Sequence, residues 1–166
     1  MMRNNRDIER LAYDFFKCFS TAEYALKVSG FFKKKNRHLY EADADWDSFS
    51  NEQSTVGIVS DANLRNSVRF ILDNPPKKQV IVMGVIDWAE NIPDEMTDSQ
   101  LLFIYIRRIR NNLFHGGKFG NGQWFEPQRS QALMEAAIEI IEASMTASKM
   151  VRDAYQLVAR LPIEND

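Results

Sequence analysis

Apolar side chains recur at helical spacing from residue 7 to 35: Ile8, Leu11, Ala12, Phe15, Phe16, Phe19, Ala22, Ala25 and Leu26. No proline interrupts them, and Asp7 stands where an N-cap or first-turn acid belongs. The pattern predicts one long helix running into the basic tail KKKNR at 33–37. Such a helix spans ~40 Å, with a bulky face of Phe15, Phe16, Phe19, Phe31 and Phe32 that is read as core or dimer interface. Residues 38–60 are polar and mixed, enough for one or two helical turns. Asp61 to Leu72 repeats the helical pattern through Leu64, Val68, Ile71 and Leu72, and Asn74-Pro75-Pro76 stops it. VIVMGVIDW at 80–88 has the β-branched density of a strand, but a lone strand has no partner, so it is read as an extended or short helical connector. Asp98 or Ser99 caps the next helix, whose apolar stripe is Leu102, Ile106, Ile109 and Leu113. Pro127 marks the first turn of the last helix. That helix is expected to reach about Arg160 through Leu133, Ala137, Ile140, Ile141, Met145, Val151 and Leu157, ending at Leu161-Pro162. The sum predicts an all-α fold, an up-and-down helical bundle of one domain over 1–166.

Composition narrows the function classes. The chain has 166 residues, 45% hydrophobic and 27% charged, which is ordinary for a soluble globular domain and leaves little room for disorder. A formal net charge of −2 excludes a strongly basic nucleic-acid coat, but not a local basic patch. Cys18 is the only cysteine, so an intramolecular disulfide and a cysteine-based metal site are excluded; in FFKCFS it reads as a buried, inert thiol. The charged start MMRNNRDIER does not read as a signal peptide, and the apolar runs at 80–86 and 101–106 fall short of the ~20 residues of a membrane span. The expectation is a cytoplasmic protein with no membrane partner.

Chemistry concentrates in RRIRNNLFHGG, residues 107–117. On a regular helix Asn111 and His115 share a face, Arg108 nearly aligns with them, and Arg110 is rotated away. An imidazole titrating near pH ~6.5 can take and return a proton, and a guanidinium offers a charged fork that matches phosphate oxygens. An amide on the same face can orient the imidazole or hold a phosphate or ribose oxygen. Together these are the parts of a metal-free site that cleaves RNA by attack of the 2′-OH on the adjacent phosphorus. No metal-ligand set accompanies them: Asp43, Asp45 and Asp47 lack the glycine and terminal glutamate of a calcium loop. No phosphate-binding glycine loop or nucleophile elbow is present, so no cofactor is expected.

The residues RNNLFH resemble the R-x-x-x-x-H motif of the HEPN superfamily of helical-bundle domains. The long helix LAYDFFKCFSTAEYALK before the motif helix and a long helix after it are also similar. The likeness covers 7–35 and 98–160, and 36–97 matches less specifically. Carried over, the motif residues are Arg110, its neighbour Asn111, and His115. The resemblance implies a metal-independent endoribonuclease of a toxin–antitoxin or phage-defence system, acting as a homodimer on RNA, with a cognate antitoxin protein as a further partner. Arg107, Arg108, Gly116, Gly117 and Lys118 would bind RNA, and Glu23 is a secondary candidate facing the motif from the first helix. Other readings stand beside this one. His115 and the arginines can be a helix C-terminus and a solvated face favoured by the helix dipole. The fold can equally be a catalytically silent module that binds nucleic acid, nucleotide or a partner protein, or a structural helical dimer. Gly116, Gly117, Gly120 and Gly122 read as a C-cap and a short hairpin-like turn, which would also let an RNA phosphate approach the backbone. Phe119, Trp124 and Phe125 either stack a base or anchor that loop. Glu23 and Lys27 are spaced for an exposed ion pair, KKKNR for a charged helix terminus or an RNA track, and His38 for an exposed loop.

Overall fold

Twenty-six residues without proline or glycine, Arg3–Val28, form helix α1. The computed structural model describes residues 3–90, 92–114, 119–120, 123–124 and 126–160. The described elements after α1 are α2 (Trp46–Ser50), α3 (Gln53–Ile58), α4 (Arg65–Asp73), β1 (Lys78–Val82), β2 (Val85–Ala89), α5 (Asp98–Phe114), β3 (Phe119–Gly120), β4 (Gln123–Trp124), α6 (Pro127–Ala147) and α7 (Arg152–Arg160). The chain is mostly helical, as its periodicity predicts. α1 packs along α6 and α7, and α4 and α5 close the remaining sides.

The first helix stops seven residues before its predicted end. Gly30 adopts φ 93°, and Phe31 N donates to Leu26 O at 2.9 Å while Gly30 N donates to Lys27 O at 3.3 Å. This is the paired closure that a left-handed glycine permits after a helix. KKKNR is therefore loop, not helix terminus, with Lys35 paired to Asp43 at 2.8 Å. The excursion from Phe31 is tied at its neck by Lys33 N to Asp43 O and Asp45 N to Phe31 O, both 2.9 Å. Asp45 then caps α2, accepting from Ser48 N at 3.0 Å and Ser48 Oγ at 2.7 Å. Those bonds hold the Asp45 carboxyl below the usual carboxylate range, the backbone bond contributing most.

Three further expectations change. Residues 80–88 are not a connector: their two halves pair with each other as the antiparallel hairpin β1–β2, turning at Met83-Gly84, both at positive φ. The α5 cap is Thr97, not Asp98 or Ser99. Gln100 N donates to Thr97 Oγ1 at 3.3 Å and Thr97 N donates to Gln100 Oε1 at 2.9 Å, a reciprocal box written as T-x-x-Q. Ser99 is buried and donates to Ser50 O at 2.7 Å. The last helix is two helices. α6 ends at Ala147, Ser148 turns extended, and Arg152 returns to cap α6 through Thr146 O at 2.6 Å. Leu157, expected among the apolar positions, is exposed. Pro127 stands in the first turn of α6 as its sequence position requires.

The core is aromatic where α1, α2 and α5 meet. Trp46 stacks on Phe19 at 5.2 Å and on Phe103 at 5.7 Å between ring centroids, and Phe49 meets Phe103 edge-on at 5.6 Å. Leu102, Ile106 and Ile109 are buried inside the chain itself and Leu113 packs against them. That stripe therefore needs no second copy to cover it. No described helix is long and apolar enough to cross a membrane.

Cys18 is buried, its Sγ 3.7 Å from the Tyr155 hydroxyl, and burial pushes the thiol up to about 11. At pH ~8 only about one molecule in a thousand then carries a thiolate. Native protein should leave Cys18 unmodified by a disulfide reagent at that pH and release one equivalent when unfolded in guanidinium. Rapid stoichiometric labelling of the native state would contradict this burial.

Candidate functional site

The last turns of α5 send side chains in three directions. Ile106 and Ile109 enter the core. Arg107, Arg110 and Phe114 run along the side facing α1 and α2, at the three- and four-residue steps that align on a helix. Arg108, Asn111 and Asn112 face the hairpin, where Arg107 reaches them from the edge.

Arg110 is held by rings. Its guanidinium carbon lies 5.7 Å from the Phe19 ring centroid and 5.3 Å from that of Phe114. Phe114 in turn meets Phe16 of α1 at 5.3 Å. Arg110 Nη1 donates to Asn111 Oδ1 at 3.0 Å, and among the described residues no carboxylate pairs with it. The electron-rich ring faces compensate part of its charge without occupying the in-plane N–H donors. Such a guanidinium keeps its fork for an anion. The described partner of Asn111 is thus the motif arginine.

Arg107 is bound differently. Nη2 meets Asp47 Oδ1 at 2.6 Å, and Nε donates to Phe103 O at 3.4 Å. Arg108 lies over the Tyr105 ring at 5.5 Å, and partial burial lowers its pKa below the ordinary arginine value. Arginine nevertheless remains charged in proteins. A cleft of about 430 Å³ between β1 and α5 is lined by Arg107, Arg108, Lys78, Asn111, Asn112, Gln79 and Ile104. Arg107 and Arg108 on the α5 wall and Lys78 on the β1 wall make it locally basic in a chain of net charge −2.

A second cavity, about 340 Å³, opens on the other side of Asn112. Ile109, Leu113, Leu133 and Met134 form its apolar floor, and Lys77, Trp88, Glu126 and Arg129 its rim. Asn112 closes the ground between the two by donating Nδ2 to Lys77 O at 2.9 Å. Arg108 and Asn111 line the first cleft and not this cavity, and Arg110 lines neither, being seated on the α1 side.

His115, Gly116, Gly117 and Lys118 lie outside the described residues. Beyond them Phe119 pairs with Trp124 and Gly120 with Gln123, the short ladder expected after the motif helix. Trp124 is buried, which makes it an anchor and not a base-stacking surface; the side chains of Phe119 and Phe125 lie outside the description. Glu23 forms no described ion pair with Lys27. It accepts from Trp46 Nε1 at 3.3 Å, one turn along α1 from the Phe19 ring that carries Arg110. His38 is exposed.

The sequence does not place Asp47, Phe16, Phe19 or Phe114 at this site; it offers Phe16 and Phe19 as core or dimer interface and Asp47 as an acid outside any calcium loop. Phe114 had a signal, since an aromatic ring four residues after an arginine on a helix is placed for contact. Asp47 had none beyond its charge. Asp43, Asp45 and Asp47 serve Lys35, the α2 cap and Arg107 separately, and among the described residues no group of three or more metal-ligating side chains gathers. No known protein-family model, no curated protein and no solved structure matches this chain.

Proposed function

We propose that this chain is a metal-independent endoribonuclease of HEPN type, a homodimeric helical bundle that cleaves RNA in a cytoplasmic toxin–antitoxin or phage-defence setting. One observation carries the reading. Arg110, five residues before His115, is fixed by two aromatic faces and by Asn111, and it is Asn111 that lines the basic cleft. Arg107, by contrast, is engaged by the Asp47 carboxylate.

In the proposed reaction His115 accepts the 2′-OH proton. The 2′ oxygen forms a bond to the adjacent phosphorus, and the bond from phosphorus to the 5′ oxygen breaks. The departing oxygen takes a proton from the imidazolium, leaving a 2′,3′-cyclic phosphate and a 5′-OH. Arg110 stabilises the charge on the non-bridging oxygens, where a bidentate fork is most effective. Lys78, Arg107 and Arg108 neutralise neighbouring phosphates. Arg107 does so only at the expense of its bond to Asp47.

The test is cleavage of a single-stranded RNA by purified protein in excess EDTA, with the ends identified by phosphatase and kinase treatment. The expected outcome is full activity and cyclic-phosphate ends. Activity that appears only when divalent ions are added back would refute the mechanism. RNA bound in the cleft but never cut would favour the silent binding module.

A further inference from the structure

The cavity between α5, α6 and the root of the hairpin is not used by the proposed chemistry. Its floor residues Ile109, Leu133 and Met134 are 5%, 4% and 0% exposed, so core packing sets their positions. The volume of about 340 Å³ falls at the small end of the ~300–1,000 Å³ usual for ligand pockets. Two braces keep the walls apart. Pro76 is buried, and the backbone carbonyls on either side of it are bound to different helices. Arg129 of α6 donates through Nη2 to Asn74 O at 3.4 Å and Pro75 O at 3.2 Å, while Asn112 of α5 donates to Lys77 O at 2.9 Å. Residues 74–77 thus form a fixed wall across the gap between the two helices, and the cavity is pre-formed.

The charges of the rim are not equally committed. Arg129 is engaged by those carbonyls and lies 3.8 Å from the Glu126 carboxylate, so this cation and this anion offset each other. Lys77 is exposed, and among the described residues no carboxylate pairs with its ammonium. One cation is left at the mouth of an apolar chamber, and the half-buried Trp88 lines the same chamber.

We propose that this cavity binds a small organic anion, one acid group on an apolar body, with the acid at Lys77 and the body on the floor and Trp88. A mostly apolar lining with a few placed polar groups is the usual make-up of small-molecule sites. The single uncommitted cation selects the charge. A neutral apolar molecule leaves Lys77 without a partner, and a cationic one is repelled by it. A polyanion fits poorly, because Glu126 stands on the same rim and repels every charge beyond the first. The inference needs no ribonuclease activity, since Arg110 and the basic cleft lie outside this cavity.

The test is titration of the purified chain with 4-phenylbutyrate and with octanoate, read by calorimetry and by methyl NMR. At least one should bind with one site per chain and a Kd below ~1 mM. Its neutral amide should bind roughly fivefold more weakly, the worth of one ion pair near the surface. Lys77→Gln should lower the acid to the affinity of the amide and leave the amide unchanged. That variant keeps the Asn112 brace, which rests on the Lys77 backbone carbonyl. On binding, methyl signals of Ile109, Leu133 and Met134 should shift. Shifts confined to Ile104 would place the anion in the basic cleft, and shifts confined to Ile81 and Ile86 would place it on the exposed hairpin tip; either overturns the proposal. So would equal affinity for acid and amide, a Lys77→Gln variant that loses nothing, or no binding of either acid up to ~5 mM.

Discussion

Replacing His115 with alanine should lower RNA turnover by ~10²–10⁴-fold, the loss expected when an acid–base group is removed. Binding of an uncleavable RNA should barely change, because a neutral imidazole adds little to phosphate affinity. Arg110→Ala should damage both, since it removes a phosphate contact and the partner of the developing charge. Arg110→Lys should recover binding more than turnover: the charge returns, but not the fork or its stacking on Phe19 and Phe114. Asn111→Ala should fall between, because the amide that fixes Arg110 at 3.0 Å is lost while the rings remain. Arg108 is the control that decides the assignment. It shares the hairpin-facing side with Asn111 and stacks on Tyr105, away from the Phe19–Phe114 seat. If Arg108→Ala abolished cleavage and Arg110→Ala did not, the motif would have been assigned to the wrong arginine, even for a genuine ribonuclease.

Trp46→Ala should cost about 3–5 kcal/mol of folding stability, the range for deleting a large buried aromatic side chain. Trp46 is 2% exposed, lies between Phe19 and Phe103, and donates to Glu23. Its removal opens a void among three helices and takes the indole donor from a partly buried carboxylate. Trp46→Phe should cost less, keeping most of the stacking and losing the hydrogen bond. Urea unfolding followed by circular dichroism measures both. A loss below ~1 kcal/mol for the alanine variant would show that the ring cluster does not organise this core. Because Phe19 is also a seat of Arg110, the same variant should loosen RNA binding at temperatures well below its unfolding midpoint.

The elements were legible where apolar spacing alone determines them, as in α1, α4 and α5. Their ends were legible only where a residue type dictates backbone geometry, as at Pro75-Pro76 and Pro127. Gly30 carries such a signal, but the apolar pattern continues through Phe31 and Phe32 and masks it. The Thr97–Gln100 box was also written in the sequence, one residue before the expected cap. Other features had no local mark. Met-Gly at 83–84 is not a customary pair for a tight hairpin turn, which favours asparagine or aspartate before the glycine, so the two strands read as one run. The break at Ser148 has neither glycine nor proline and depends on Arg152 folding back on the last carbonyls of α6. For the site, the sequence singled out Arg110 and Asn111 as a pair. The rings beneath Arg110 are partly long-range, since Phe19 is 91 residues away, and no helical wheel of α5 contains it.

The tied excursion between Phe31 and Asp45 has a practical consequence for engineering. Its ends are pinned by backbone bonds at Lys33–Asp43 and Phe31–Asp45, while His38 is exposed and Leu39 is 91% exposed at the far end. Lengthening a loop whose ends are already fixed costs only ~0.6 kcal/mol for each doubling of its length. A peptide tag or a fluorophore-bearing cysteine placed between His38 and Leu39 should thus be accepted without disturbing the helices. With Cys18 buried, a maleimide dye would enter at that one position, giving an optical handle on RNA encounter or self-association in the otherwise native chain.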